Sequence, residues 1–189
     1  TRPGIIRDMV RNRKETAVIG FSAFSGTGKT TLLKKLIPIL RAHNIRLAVI
    51  KHAHHDFEID HPGKDSFELR KADAYQVLIS SSKRKALITE FEEGQSEPCL
   101  ASLIDELDHE RLDLILVEGF KSEHFDKIEL HRAALHKPFL FEQDKDIIAL
   151  VSDGQLDDSA RLPVLDINKP QDVANFILKL ISQRTQDNL

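Results

Sequence analysis

Eight residues, Ala23-Phe24-Ser25-Gly26-Thr27-Gly28-Lys29-Thr30, constrain this chain more than any other stretch. The apolar, β-prone run Ala17-Val18-Ile19-Gly20-Phe21 precedes them. Thr31-Leu32-Leu33-Lys34-Lys35-Leu36-Ile37 follows, with leucines at helical spacing. Strand, glycine-bearing loop and helix in that order make a phosphate-binding loop. Gly26 and Gly28 can take backbone conformations closed to other residues. Successive N–H groups then face one concavity, backed by the positive end of the helix dipole. Ser25, Gly26, Thr27, Gly28, Lys29, Thr30 and Thr31 are the expected nucleotide contacts. Lys29 reaches the β- and γ-phosphates, and the Thr30 hydroxyl is a ligand for Mg²⁺. The usual first glycine of the pattern is Ala23 here, the mildest replacement.

The strand-to-helix alternation continues along the chain. Expected strands are Ala17–Ser22, Arg46–Lys51, Val77–Ser80, Ala86–Phe91, Leu112–Val117, Lys127–His131, Ile147–Val151 and Leu162–Asp166. Expected helices are Lys29–Ala42, kinked at Pro38, then Asp65–Ala74, Leu100–Leu107 and Gln171–Ser182. Asn44 is a stop signal, Asp65 with Glu68 resembles a capping box, and Lys83-Arg84-Lys85 reads as a solvated turn. Asn168-Lys169-Pro170 reads as a helix start. The pattern specifies an α/β fold of the P-loop NTPase type, a mainly parallel β-sheet with helices on both faces. Residues 1–15, with Arg2, Arg7, Arg11, Arg13 and Lys14, read as a basic leader or linker, and residues 16–189 as one nucleotide-binding domain.

Composition excludes several functions. A net charge of −3 argues against a nucleic-acid binder with a basic surface. No apolar run approaches the roughly 20 residues that cross a bilayer, so no membrane partner is expected. A single cysteine, Cys99, rules out an intrachain disulfide and suits a reducing cytoplasm. It reads as a small buried hydrophobe.

In a parallel α/β sheet, ligands bind at the carboxyl ends of the strands. The residues just after each buried strand are therefore expected to converge. After the second strand come Lys51, His52, His54, His55 and Asp56; after Leu112–Val117 come Glu118 and Gly119; after Ile147–Val151 comes Asp153. Glu118 ends an apolar strand and is the expected second support of nucleotide-bound Mg²⁺, with Asp56 a candidate further oxygen contact. Asp113, at the strand's other end, is expected in solvent. His52, His54, His55 and His61 either hold a metal or, with Lys51, line an anionic pocket beside the triphosphate; the absence of an accompanying cysteine or helical His-x-x-x-His pair favours the pocket. Asp153 stands at a position from which a carboxylate accepts both guanine N1–H and N2–H, or is a turn residue before Gly154.

Four stretches resemble one known family. They are Phe24-Ser25-Gly26-Thr27-Gly28-Lys29-Thr30-Thr31, Lys51-His52-Ala53-His54-His55-Asp56, Pro62-Gly63-Lys64-Asp65-Ser66 with Leu69-Arg70-Lys71-Ala72, and Val117-Glu118-Gly119-Phe120-Lys121. Together they resemble the MobB family, the adaptor proteins of molybdopterin-guanine dinucleotide biosynthesis. The family usually has Ala-Gly-Ala where this chain has Ala72-Asp73-Ala74. The resemblance implies a GTP-binding homodimer with weak Mg²⁺-dependent GTPase activity. It implies as partners a molybdopterin guanylyltransferase of the MobA type and the molybdopterin cofactor. It assigns phosphate and Mg²⁺ roles to Lys29 and Thr30, and a Mg²⁺ role to Glu118. On the residues alone, a metallochaperone GTPase working through the histidine loop and a small-molecule kinase remain as rivals. No glutamine or arginine stands out in the sequence to orient an attacking water, which predicts slow turnover; Arg70 acting across a dimer is one candidate.

Overall fold

The computed structural model describes residues 16–53, 57–92, 94–154 and 161–187. They form two compact units, one of residues up to His52 and from Leu100 onward, the other of Ala53–Cys99.

The first unit is built on a six-stranded sheet. Its strands are β1 (Ala17–Ala23), β2 (Leu47–Lys51), β5 (Leu114–Glu118), β6 (Lys127–His131), β7 (Ile147–Ser152) and β8 (Val164–Asp166), in the order β2-β5-β1-β6-β7-β8. Every pairing is parallel. β1 lies at the centre, with Ile19 opposite Leu116 on one side and Phe21 opposite Ile128 on the other. Helices α1 (Lys29–Ala42) and α4 (Pro170–Asp187) cover one face. Leu32, Leu33, Leu36 and Leu40 of α1 join Val173, Ala174 and Ile177 of α4 over Ile19, Phe21, Leu116 and Leu130. Each Leu, Ile, Val or Phe among them contributes about 1.5–3 kcal/mol when fully buried. On the opposite face, α3 (Leu100–Asp105) packs Leu100 on Ile50, Ile115 and Val117.

β6 shows why part of that second face has no helix. Its Lys127, Glu129 and His131 point there and are buried. Lys127 Nζ donates to Lys121 O (3.1 Å) and Asp144 Oδ2 (3.0 Å). Glu129 accepts the N–H groups of Leu140 (2.8 Å) and Phe141 (2.9 Å). Burial pushes its pKa above the usual carboxylate range, against those two bonds. His131 Nε2 meets Lys137 O at 2.9 Å. The loops on either side of β6 therefore cover it through polar contacts, which buried charges require.

The helix ends follow their sequence signals. α1 runs through Pro38 and stops at Asn44, which takes φ 62°. Asn44 N–H bonds Arg41 O and Ile45 N–H bonds Leu40 O, the paired bonds of a Schellman cap. The aspartate expected in solvent, Asp113, is instead buried. Its Oδ2 accepts the Arg46 N–H at 2.8 Å, and its backbone bonds Arg46 and Ala17, so it ties together the entry points of β1, β2 and β5. β2 and β5 begin one and two residues later than expected.

The second unit holds helix α2 (Asp65–Lys71) and a hairpin of β3 (Gln76–Ser80) and β4 (Lys85–Thr89), paired antiparallel in their own sheet. The Lys83-Arg84-Lys85 turn is exposed as expected. The capping box is corrected: Lys64 is the cap residue and Asp65 lies in the first turn, while Glu68 Oε1 accepts the Gly63 N–H at 3.3 Å. Asp73 takes φ 73°, the left-handed region that suits the glycine usual there. Cys99 is exposed, not buried; the adjacent Leu100 occupies the apolar position.

Arg70 organises this unit. Its guanidinium bonds Asp60 (2.8 Å), Glu90 (2.9 Å) and Glu58. Arg70 holds the Asp60 carboxyl below its ordinary range. A carboxylate depressed in the folded state stabilises above its unfolded pKa, near 4, and loses that contribution as pH falls through the folded value. The chain has one Tyr, Tyr75, and no Trp, so tyrosine fluorescence reports on this unit alone. Denaturation followed at Tyr75 is expected to become easier as pH falls below about 4. In Arg70→Met the trend reverses, because protonation then relieves repulsion among three carboxylates; an unchanged trend contradicts the assignment.

Candidate functional site

Because β1 is central, its carboxyl end opens into the phosphate loop with neighbours on both sides. Ala23 is still the last residue of β1, in extended conformation, so no glycine is needed there. The turn is made by Gly26 (φ 83°) and Gly28 (φ 94°). A Cβ at Gly26 would meet nothing within 4 Å, so glycine is required there by backbone conformation and not by space. Thr27 is buried and closes the turn, its Oγ1 donating to Phe24 O at 2.7 Å. Gly28 caps α1, with Leu32 N–H on its carbonyl at 2.9 Å. Ser25, Thr30 and Thr31 are exposed on the loop and the first helical turn. The first N–H groups of a helix have no intrahelical partners, so this end has the donors that an anion would need.

Glu118 ends β5 directly beside β1, paired in register with Phe21. Lys29 Nζ lies 3.6 Å from Glu118 Oε1. Beyond Glu118 the backbone turns sharply through Gly119 (φ 108°) and Phe120 (φ 51°). His52 fixes this corner from β2: its N–H bonds Glu118 O at 2.8 Å, and its ring stacks on Phe120 at 4.7 Å. A hydroxyl and a carboxylate beside the loop are hard oxygen donors, the set that suits Mg²⁺. Thr30 and Glu118 are the residues that would hold it; its charge would neutralise that of a triphosphate.

On the other side of β1, Arg132 follows β6. Its Nε donates to Thr27 O at 2.9 Å and its Nη1 to Asp153 Oδ2 at 3.1 Å. Asp153 Oδ1 accepts the Ala133 N–H at 3.0 Å. The Ala133 amide and then the Arg132 guanidinium hold the Asp153 carboxyl below its usual range. Nη2 and Nε of the guanidinium group lie 3.6 and 3.7 Å from where a Cβ on Gly28 would sit. Sequence reasoning missed Arg132. The strand-end rule points to it, as the basic residue immediately after β6.

The strand-end grouping thus brings Ser25–Thr31, Glu118, His52, Arg132 and Asp153 to the carboxyl edge of one sheet. His54, His55 and Asp56 lie outside the described residues. His61 is exposed in the second unit. Among the described residues, no group of three or more His, Cys, Asp or Glu is arranged to hold a metal ion. Arg70 has Nη1 and Nη2 bonded to three carboxylates, and its Nε is buried without a hydrogen-bond partner. Among the described residues, no helix is long and apolar enough to cross a membrane.

Comparison with known proteins shows the family and the fold. The family described as molybdopterin guanine dinucleotide synthesis protein B, MobB, matches residues 18–153. The molybdopterin-guanine dinucleotide biosynthesis adapter protein of Escherichia coli K12 is 48% identical over 88% of this chain and 94% of its own length. The adapter protein of Haemophilus influenzae is 42% identical over 85% of this chain and 86% of its own. A crystal structure of molybdopterin-guanine biosynthesis protein B superposes with a TM-score of 0.65 at 26% identity, covering 86% of this chain and 99% of the other.

The corner after Glu118 is the least tolerant point of the site. A Cβ on Gly119 would stand 2.5 Å from His52 Cβ, and φ 108° is closed to side chains. Gly119→Ala is expected to cost about 1–3 kcal/mol in denaturant unfolding from overpacking, with backbone strain adding to it. A stability equal to the parent's contradicts the packing described.

Proposed function

We propose that this chain, which belongs to the MobB family of molybdopterin guanine dinucleotide synthesis proteins, is a GTP-binding adapter in the formation of molybdopterin guanine dinucleotide. The single observation that carries GTP binding is the loop between β1 and α1: two left-handed glycines, a buried Thr27, and Lys29 reaching Glu118 at 3.6 Å. In this reading the amides of Ser25–Thr31 and the Lys29 ammonium neutralise the triphosphate. Thr30 and Glu118 hold Mg²⁺, with Asp56 a further candidate ligand. Asp153 reads guanine, since a carboxylate accepts two N–H donors that adenine does not present together.

Turnover is slow on this account. Arg132 stands beside the loop, but two of its donors are committed to Thr27 and Asp153. The adapter role of the relatives supports a molybdopterin guanylyltransferase of the MobA type as partner, with molybdopterin as the shared cofactor. A cytoplasmic location fits the lone, exposed Cys99. The protein acts as a homodimer. The second unit supplies a surface for it: Leu78 and Leu87, opposed across the hairpin, are 64% and 55% exposed. A two-stranded hairpin with apolar side chains in water is marginal by itself, and a second copy covers it.

Calorimetric titration tests the first half. GTP is expected to bind in the presence of Mg²⁺ and to outcompete ATP, and Lys29→Ala to weaken GTP about ten- to hundredfold through loss of a charge-assisted contact. Unchanged affinity in Lys29→Ala removes the loop from the account. Sedimentation tests the second half: Leu78→Asp with Leu87→Asp is expected to shift a dimer to monomer. A double variant that stays dimeric places the interface elsewhere.

A further inference from the structure

Asp153 accepts two N–H donors, one on each carboxylate oxygen. Arg132 Nη1 lies 3.1 Å from Oδ2 and the Ala133 amide 3.0 Å from Oδ1. This is the same pattern that the N1–H and N2–H edge of guanine presents to a carboxylate. The chain's own groups therefore occupy the positions that the base requires. Arg132 is tethered at a second point, its Nε on Thr27 O at 2.9 Å, inside the phosphate loop. Nη2 of the same group is 3.6 Å from the Cβ position of Gly28, which caps α1. One planar guanidinium thus spans the base position at Asp153 and the phosphate loop at Thr27, the latter 105 residues from Arg132 in sequence.

We propose that Arg132 is a positioning residue that couples the two halves of the nucleotide site. Asp153 holds the guanidinium while the base position is free. Guanine takes the Asp153 carboxylate, and Arg132, still tethered at Thr27, turns its released Nη1 edge toward the phosphates. Binding of the base thereby adds a cation to the phosphate site. The inference rests on the GTP-binding reading above, and it goes further by making base recognition and phosphate affinity interdependent.

The pair of ligands that separates these effects is GTP and inorganic tripolyphosphate, each with Mg²⁺. Asp153→Asn keeps the shape of the side chain and one carbonyl oxygen for the Ala133 N–H, but removes the charge that holds Arg132. It is expected to weaken GTP, because the base loses its acceptor pair, and to strengthen tripolyphosphate about fivefold or more, because Arg132 is released. In an Arg132→Gln background, the same Asp153→Asn change leaves tripolyphosphate binding where it was. In the Asp153→Asn background, Arg132→Lys, which keeps the cation without the fork, retains part of the tripolyphosphate affinity that Arg132→Gln loses. A purely structural link moves both ligands in the same direction, or neither, and that result overturns the proposal. If the parent chain binds neither GTP nor tripolyphosphate, the loop assignment fails and this inference fails with it. If the parent binds both and the opposite shifts are missing, the inference alone fails. Melting curves of each variant separate lost folding from lost coupling; should Asp153→Asn unfold, Asp153→Ser supplies the same release, and the same pair of shifts decides.

Discussion

Parallel pairing of β1 with β5 on one side and β6 on the other is the constraint from which the site follows. Parallel strands all end at the same edge, so whatever follows them is delivered to one place. Pairing with β5 brings Glu118 beside Phe21, two residues before the phosphate loop starts. Pairing with β6 brings Arg132 beside the loop from the opposite side, and β7 adds Asp153. The pairing itself is held by burial. Ile19 and Phe21 are inaccessible beneath α1 and α4, so a slip of one residue would turn them toward the wrong face.

Local chemistry was readable in the sequence; chemistry made by distant contacts was not. Gly26 and Gly28 announce the loop because only certain backbones turn that way, and their φ values of 83° and 94° agree. Asn44 marked the end of α1 for the same reason. Glu118 was found because an acidic residue closing an apolar strand is a local pattern. Asp113 was misread because its partner, the Arg46 amide, is 67 residues away and invisible to a window of sequence. Cys99 was misread because residue type predicts burial only on average, and Leu100 took the place. Arg132 looked like one more arginine until strand order set it between Thr27 and Asp153.

Buried charge is the second theme of the molecule, and its two units handle it differently. In the sheet, Lys127 and Glu129 sit on a face that would otherwise need a helix, and each is matched by groups from the loops flanking β6. In the second unit a single arginine gathers three carboxylates. Removing one member of such a set leaves the others uncompensated, which costs more than the intact set contributes. The histidines give a similar lesson. His52 lies in a segment that reads as an anionic pocket in preference to a metal site; in the fold its ring stacks on Phe120 and its amide holds Glu118 O. Its position serves the corner after Glu118.

The central claim is that backbone amides and Lys29 grip a triphosphate at the carboxyl end of β1. A crystal structure of the full chain with Mg²⁺ and a non-hydrolysable GTP analogue tests it most directly. The account predicts β- and γ-phosphate oxygens within hydrogen-bond distance, about 3 Å, of the amides between Gly26 and Thr30 and of Lys29 Nζ. Nucleotide bound elsewhere, with that loop free of phosphate, would contradict it.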